Sequence, residues 1–196
     1  MGIAPCLLLW YNPFKGVQKE YIMKHILVVV DIQKDFVDGA LGTAEAVSMI
    51  PNAVKRIREF DGEIFVTYDT HFEDYMNTAE GKKLPVPHCI KGTDGWKLDK
   101  NIEKALEGKD FTSVEKLTFG SSDLPALVSE AVGEEDFDIT LIGLCTDICV
   151  VSNALILKAS FPEKEVYVDS SACAGVTVDT HNAALTTMKM CQINVI

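Results

Sequence analysis

The sequence predicts an α/β protein with a mainly parallel sheet of about six strands held between helix layers. Three observations carry that expectation. Runs of β-branched and aliphatic residues recur along the chain, two of them end in aspartate, and stretches with helical periodicity separate them. Strands alternating with helices are joined most simply by right-handed crossovers into a parallel sheet.

Taken in order, HILVVVD (25–31) is apolar at consecutive positions, as expected of a strand buried on both faces. A helix follows over Ala44–Phe60, with Pro51 expected to break it because proline lacks the N–H donor. EIFVTYD (63–69) repeats the strand pattern. Residues 71–96 carry Gly, Pro, Lys and Asp without an apolar stripe, so they read as a long irregular segment beginning just past a strand's carboxyl end. The next helix covers Leu98–Leu106, FTSVEK (111–116) is a weaker strand, and Leu124–Ala131 is helical again. DITLIGL (138–144), a helix over Ile148–Ala159, EVYVDSS (165–171), a helix over Val178–Lys189 and the closing CQINVI complete the series.

A chain of 196 residues that is 47% hydrophobic can fill one core. Residues 23–196 read as a single domain, and 1–22 as an N-terminal extension of doubtful significance, with Met23 a plausible start. Within that extension the apolar run CLLLWY is too short to span a bilayer and follows a proline, unlike a secretory leader. A net charge of −11 without a basic cluster argues against nucleic acid as a partner. The six cysteines are scattered through the α/β pattern, which suits reduced thiols in a cytoplasmic protein.

Several polar residues fall where open α/β sheets place ligands, at the carboxyl ends of strands. Asp31 closes the first strand, where an aspartate can be a turn former or a catalytic group. Asp69 closes the second with His71 two positions on, and residues i and i+2 of an extended chain face the same side. His88 arrives later in the irregular segment, with Glu80 between. Two imidazoles and one or two carboxylates suit Zn, Fe or Mn. Lys116 follows the weak strand and, taken alone, is as compatible with an exposed lysine.

Cys149 falls in the first turn of the Ile148–Ala159 helix, with Thr146 or Asp147 able to cap it. The helix dipole there favours a thiolate, but it supplies ~0.3–1 kcal/mol where lowering a thiol below neutrality takes roughly 2 kcal/mol. A cation is therefore required, and Lys116 is the candidate. Cys145 stands four positions before Cys149, whereas a redox pair takes C-x-x-C spacing, and no further zinc ligands lie nearby in the sequence. A nucleophilic Cys149 is the better reading, with a small buried hydrophobe as the alternative.

VVVDIQKDF, YDTH followed by PHCIKGT, SVEKLTFGSS and GLCTDICVVSNA, in that order over about 24–196, resemble the isochorismatase-like cysteine hydrolases, in particular their nicotinamidase branch. The resemblance implies a three-layer α/β/α Rossmann-like fold and a catalytic triad of Asp31, Lys116 and Cys149. It also implies a cis Leu144–Cys145 peptide and an oxyanion hole from the N–H groups of Cys145 and Cys149. One divalent metal, zinc foremost with iron or manganese possible, is implied on Asp69, His71 and His88, with Glu80 a less certain match. Phe36 matches an aromatic that flanks the substrate ring. The activity implied is hydrolysis of nicotinamide to nicotinate and ammonia through a thioester on Cys149, by a protein that commonly forms homo-oligomers, with neither nucleic acid nor membrane as partner.

Two departures bear on the substrate. Many relatives place a Trp-Pro before the metal histidine, where this chain has LPVPHC, and many have an aromatic before the nucleophile, where this chain has Ile148. Another small amide, a ureido or carbamoyl compound, stays open as the substrate. A non-catalytic ligand-binding α/β module is the reading from a different class. The metal-free isochorismatase branch does not use a nucleophilic cysteine, so Cys149 argues against it.

Overall fold

The computed structural model describes residues 23–196. The segment 1–22 and the extension expected there lie outside the described residues. The elements are β1 (Met23–Val30), α1 (Lys34–Val37), α2 (Ala44–Glu59), β2 (Glu63–Asp69), α3 (Ala79–Lys83), α4 (Lys100–Leu106), β3 (Thr112–Lys116), α5 (Leu124–Val132), β4 (Asp136–Leu144), α6 (Val151–Ser160), β5 (Val166–Ala174), α7 (Val178–Met190) and β6 (Asn194–Val195). The strands form one sheet in the order β3-β2-β1-β4-β5-β6, every neighbouring pair parallel. Helices cover both faces, as the alternation of elements predicts.

β1 shows why its sequence is apolar throughout. Leu27 and Val29 face a core shared with Ala53 and Ile57 of α2 and Ile102 of α4. Ile26, Val28 and Val30 face the opposite core, shared with Val128 of α5, Leu157 of α6 and Met188 of α7. The period of two in a strand sends alternate side chains to opposite layers, and both layers are dry. No helix among the described residues is long and apolar enough to cross a membrane.

Three local expectations are corrected. α2 runs unbroken through Pro51, because buried Ala46, Met49, Ile50, Ala53 and Ile57 keep both halves of the helix on the sheet at the cost of one backbone hydrogen bond. Residues 71–96 are not structureless: a single turn at Tyr75–Asn77 and the short α3 fold around the buried Tyr75 ring. His71 is tied to the far end of the segment, its N–H donating to the Cys89 carbonyl at 3.0 Å and its carbonyl accepting from the Lys91 N–H at 2.9 Å. The expected helix over Ile148–Ala159 opens with a wide turn at Thr146–Val150, in which the Val150 N–H reaches back five residues to the Cys145 carbonyl at 3.0 Å. Such widened turns recur at functional sites.

The order of strands reverses between β1 and β4, and open α/β sheets form their ligand crevice at the carboxyl edge beside such a point. Gly143, next to that point, has φ +125, and a Cβ on it would lie 2.0 Å from the Val30 carbonyl oxygen across the β1–β4 pairing. Backbone contact and φ both demand glycine in the GLCTD sequence. Gly143→Ala is expected to lower the unfolding free energy by roughly 3 kcal/mol or more, as measured by urea denaturation.

Candidate active site

Strand register brings the polar residues together. β1 pairs with β2 so that Val30 lies beside Thr67, β2 pairs with β3 so that Asp69 lies beside Lys116, and β1 pairs with β4 so that Val30 lies beside Gly143. Asp31, Asp69, Lys116 and the turn after Leu144 therefore share one edge of the sheet.

At that edge the Lys116 ammonium lies 2.6 Å from Asp31 Oδ2, 3.1 Å from Asp69 Oδ1 and 3.5 Å from Cys149 Sγ. All four residues are buried. Burial works against charge on Lys116, but Asp31, Cys149 and Asp69 outweigh it and push the ammonium well above the usual lysine range. It is a fixed positive charge at neutral pH. Burial lifts the Asp31 carboxyl above the usual range, Lys116 opposes that rise and Asp69 adds to it. The Cys149 thiol is pushed up by burial and by the Asp31 carboxylate, against Lys116. Sequence reasoning expected a resting thiolate. Here the single cation is also shared between two carboxylates, which works against a thiolate.

The turn that carries Cys149 differs from its expected capping. Neither Thr146 nor Asp147 caps it: the Thr146 hydroxyl is 2.8 Å from His181 Nδ1, and the Asp147 carboxylate accepts from the Val176 N–H at 3.2 Å. Both ties run to the β5–α7 side and hold the turn from outside. The Leu144–Cys145 peptide is cis.

Other residues position the group without having been singled out. Asp31 adopts φ 47, and the Thr67 hydroxyl donates to its Oδ1 at 2.6 Å. Asp31 Oδ2 is the oxygen that faces the Lys116 ammonium. Gln33 donates to the carbonyls of Asp69 and Trp96 at 2.9 and 2.8 Å and accepts from the Asp69 N–H at 2.8 Å. Asp35 accepts from the Cys89 N–H at 2.8 Å, next to His88. Gln33 and Asp35 belong to the DIQKDF motif, so the signal was present in its spacing; Thr67 carried none.

Asp69 uses its second oxygen on the other side. His71 Nε2 lies 3.1 Å and His88 Nε2 3.6 Å from Asp69 Oδ2, while Glu80 Oε1 is 3.8 and 3.7 Å from the same two nitrogens. Ligand bonds of ~2.0–2.2 Å around one ion place neighbouring donors roughly 3–3.5 Å apart, close to these spacings. The His88 Nδ1–H donates to the Val86 carbonyl at 2.8 Å, which leaves Nε2 as the lone-pair nitrogen of the neutral ring. His71 Nε2 is buried without a hydrogen-bond partner among the described residues. Burial pushes the Asp69 carboxyl up, but the adjoining His71 and His88 rings, with Lys116, hold it well below the carboxylate range. Asp69, His71 and His88 thus form a cluster able to hold a divalent metal ion, with Glu80 at its margin. Tyr75 packs edge-on against both imidazoles, 4.7 and 5.1 Å between centroids, and Phe36 meets His88 at 5.4 Å.

Cluster and sulfur open into one cleft of about 720 Å³, bordered also by Phe36, Cys145 and Ile148. The sequence-predicted residues all gather here; Asp31 and Lys116 stand behind Cys149 and Asp69.

The isochorismatase domain family matches residues 25–196. An isochorismatase family protein of Bacillus subtilis, PncA, is 33% identical over 147 residues, 68% of this chain and 78% of that protein. The crystal structure of the nicotinamidase/pyrazinamidase PncA from Bacillus subtilis superposes with a TM-score of 0.76 at 26% identity, covering 88% of this chain and 99% of that one. The pyrazinamidase of Pyrococcus horikoshii in complex with zinc gives a TM-score of 0.72 at 25% identity, covering 88% and 98%.

Removing the shared cation strands buried carboxylates. Lys116→Met is expected to destabilise the fold by about 3–5 kcal/mol, and Lys116→Met with Asp31→Asn by less than Lys116→Met alone. Urea denaturation of the two variants checks the order.

Proposed function

The chain belongs to the isochorismatase family, and we propose that it works there as a metal-containing cysteine amidohydrolase, converting nicotinamide and water into nicotinate and ammonia. The observation that supports this most is the buried contact of Lys116 with both Asp31 and Cys149, beside an Asp-His-His cluster opening into the same cleft. The similarity to nicotinamidase and pyrazinamidase structures supports the choice of substrate.

In the proposed reaction, Cys149 Sγ attacks the carboxamide carbon while its proton passes to Asp31. The Asp31 carboxyl is within hydrogen-bonding reach of the thiol, and its elevated affinity for a proton suits a general base. As that proton leaves the sulfur, the Lys116 ammonium gains a thiolate partner and loses an anionic one, so total charge around it is conserved. The N–H groups of Cys145 and Cys149 are proposed to receive the oxyanion; in the same turn the Ile148 and Val150 N–H groups are already committed to the Cys145 carbonyl. The C–N bond breaks as Asp31 returns the proton to the departing nitrogen, leaving a thioester on Cys149. Water attacks that carbonyl, Asp31 takes its proton, and the acid leaves as the thiol is restored.

Asp69, His71 and His88, with Glu80, would hold the metal, and zinc is proposed because the donor set suits it and because the Pyrococcus horikoshii pyrazinamidase structure contains it. When bound, it supplies a Lewis-acidic anchor for the ring nitrogen of the substrate. Phe36 would lie against the ring.

Ammonia release from nicotinamide by the zinc-loaded protein tests the proposal. Cys149→Ala is expected to lower kcat by at least about a thousandfold. His88→Ala is expected to lose bound metal on elemental analysis. Full activity in Cys149→Ala would exclude the mechanism.

A further inference from the structure

The cleft is larger than the proposed substrate needs. Its volume of about 720 Å³ falls within the roughly 300–1,000 Å³ typical of sites for drug-sized ligands. A single six-membered ring with a carboxamide, placed between Cys149 and the metal cluster, occupies only its floor.

Above that floor one stretch of wall is apolar. Leu117 and Phe119 come from the loop after β3, Val176 from the loop after β5, and Ile148 from the nucleophile's turn. Leu117, Phe119 and Val176 are 64%, 45% and 48% exposed, and contiguous exposed apolar side chains mark a surface that binds something. Apart from the metal-cluster residues, Lys83 is the charged side chain lining the cleft among the described residues.

The loop carrying Leu117 and Phe119 is anchored. Buried Asn153 accepts from the Ser121 N–H at 2.9 Å and donates to the carbonyls of Phe119 and Cys149 at 3.3 and 2.8 Å. Gly120 lies so close to α6 that a Cβ on it would be 2.5 Å from Ile156 Cδ1. One asparagine thus fixes the apolar wall and the nucleophile relative to each other, so the wall is a preformed surface at a set distance from the reacting bond.

We propose that the site selects heteroaromatic amides whose ring carries an uncharged apolar substituent on the side away from the carboxamide, with Leu117 and Phe119 as specificity-determining residues. The inference rests on the amidohydrolase reading above. A substituent directed along the loop after β3 covers Leu117 and Phe119 and releases the water that hydrates them.

The test compares kcat/KM for ammonia release from nicotinamide, an alkyl-substituted nicotinamide and a carboxylate-bearing analogue of similar length, using the zinc-loaded protein and its Phe119→Ala and Leu117→Ala variants. The wild type is expected to favour the alkyl compound over nicotinamide by about tenfold or more, and each variant to cut that ratio by about fivefold. A wild-type preference for nicotinamide, or for the carboxylate through Lys83, would overturn the proposal. So would variants that slow all three amides by one common factor. If the wild type released ammonia from none of them, the amidohydrolase reading itself would fall, and this proposal with it.

Discussion

The site depends on one buried ammonium shared by three groups. Lys116 stands at the end of an edge strand, yet its Nζ is enclosed by Asp31, Asp69 and Cys149. Two carboxylates this close to each other and this far from water could not both stay ionised without it. The cation allows Asp31 to remain a base beside the sulfur. It also fixes one oxygen of Asp69, so that the other is turned toward His71 and His88. Asp69 therefore belongs to both halves of the site, and a change at Lys116 reaches the imidazoles through a single carboxylate.

That sharing bears on the Cys149 thiol. Helix dipole and ammonium both favour a thiolate, and either argument read alone from sequence leads there. In the folded cluster the same cation also meets two carboxylates, which works against the thiolate. Burial and Asp31 push the thiol up, and in the proposed reaction the same carboxylate takes its proton.

Much of this was legible in the sequence because parallel strands impose simple geometry. Runs such as HILVVVD and EIFVTYD end in aspartate, and a parallel sheet aligns all carboxyl ends on one edge, so residues more than eighty positions apart were bound to meet. The D-x-H spacing predicted the convergence of Asp69 and His71. Segment 71–96 was harder, since its order comes from one buried tyrosine and a few backbone bonds, with no period to read. Pro51 misled because helix propensity is weaker than the burial of an apolar face. Thr67 and His181 act through hydrogen bonds formed across the fold, and a lone threonine or histidine in a sequence says nothing of its partner.

The central claim is that this sulfur, served by Asp31 and Lys116, forms the bond to the substrate's carbonyl carbon. Acid quenching during turnover of a slow amide, followed by peptide mapping with mass spectrometry, reads that bond directly, because a thioester survives acid. The account predicts an acyl group on the peptide containing Cys149, absent when the amide is withheld. Turnover with no acyl group on Cys149, or with one on another residue, would contradict it.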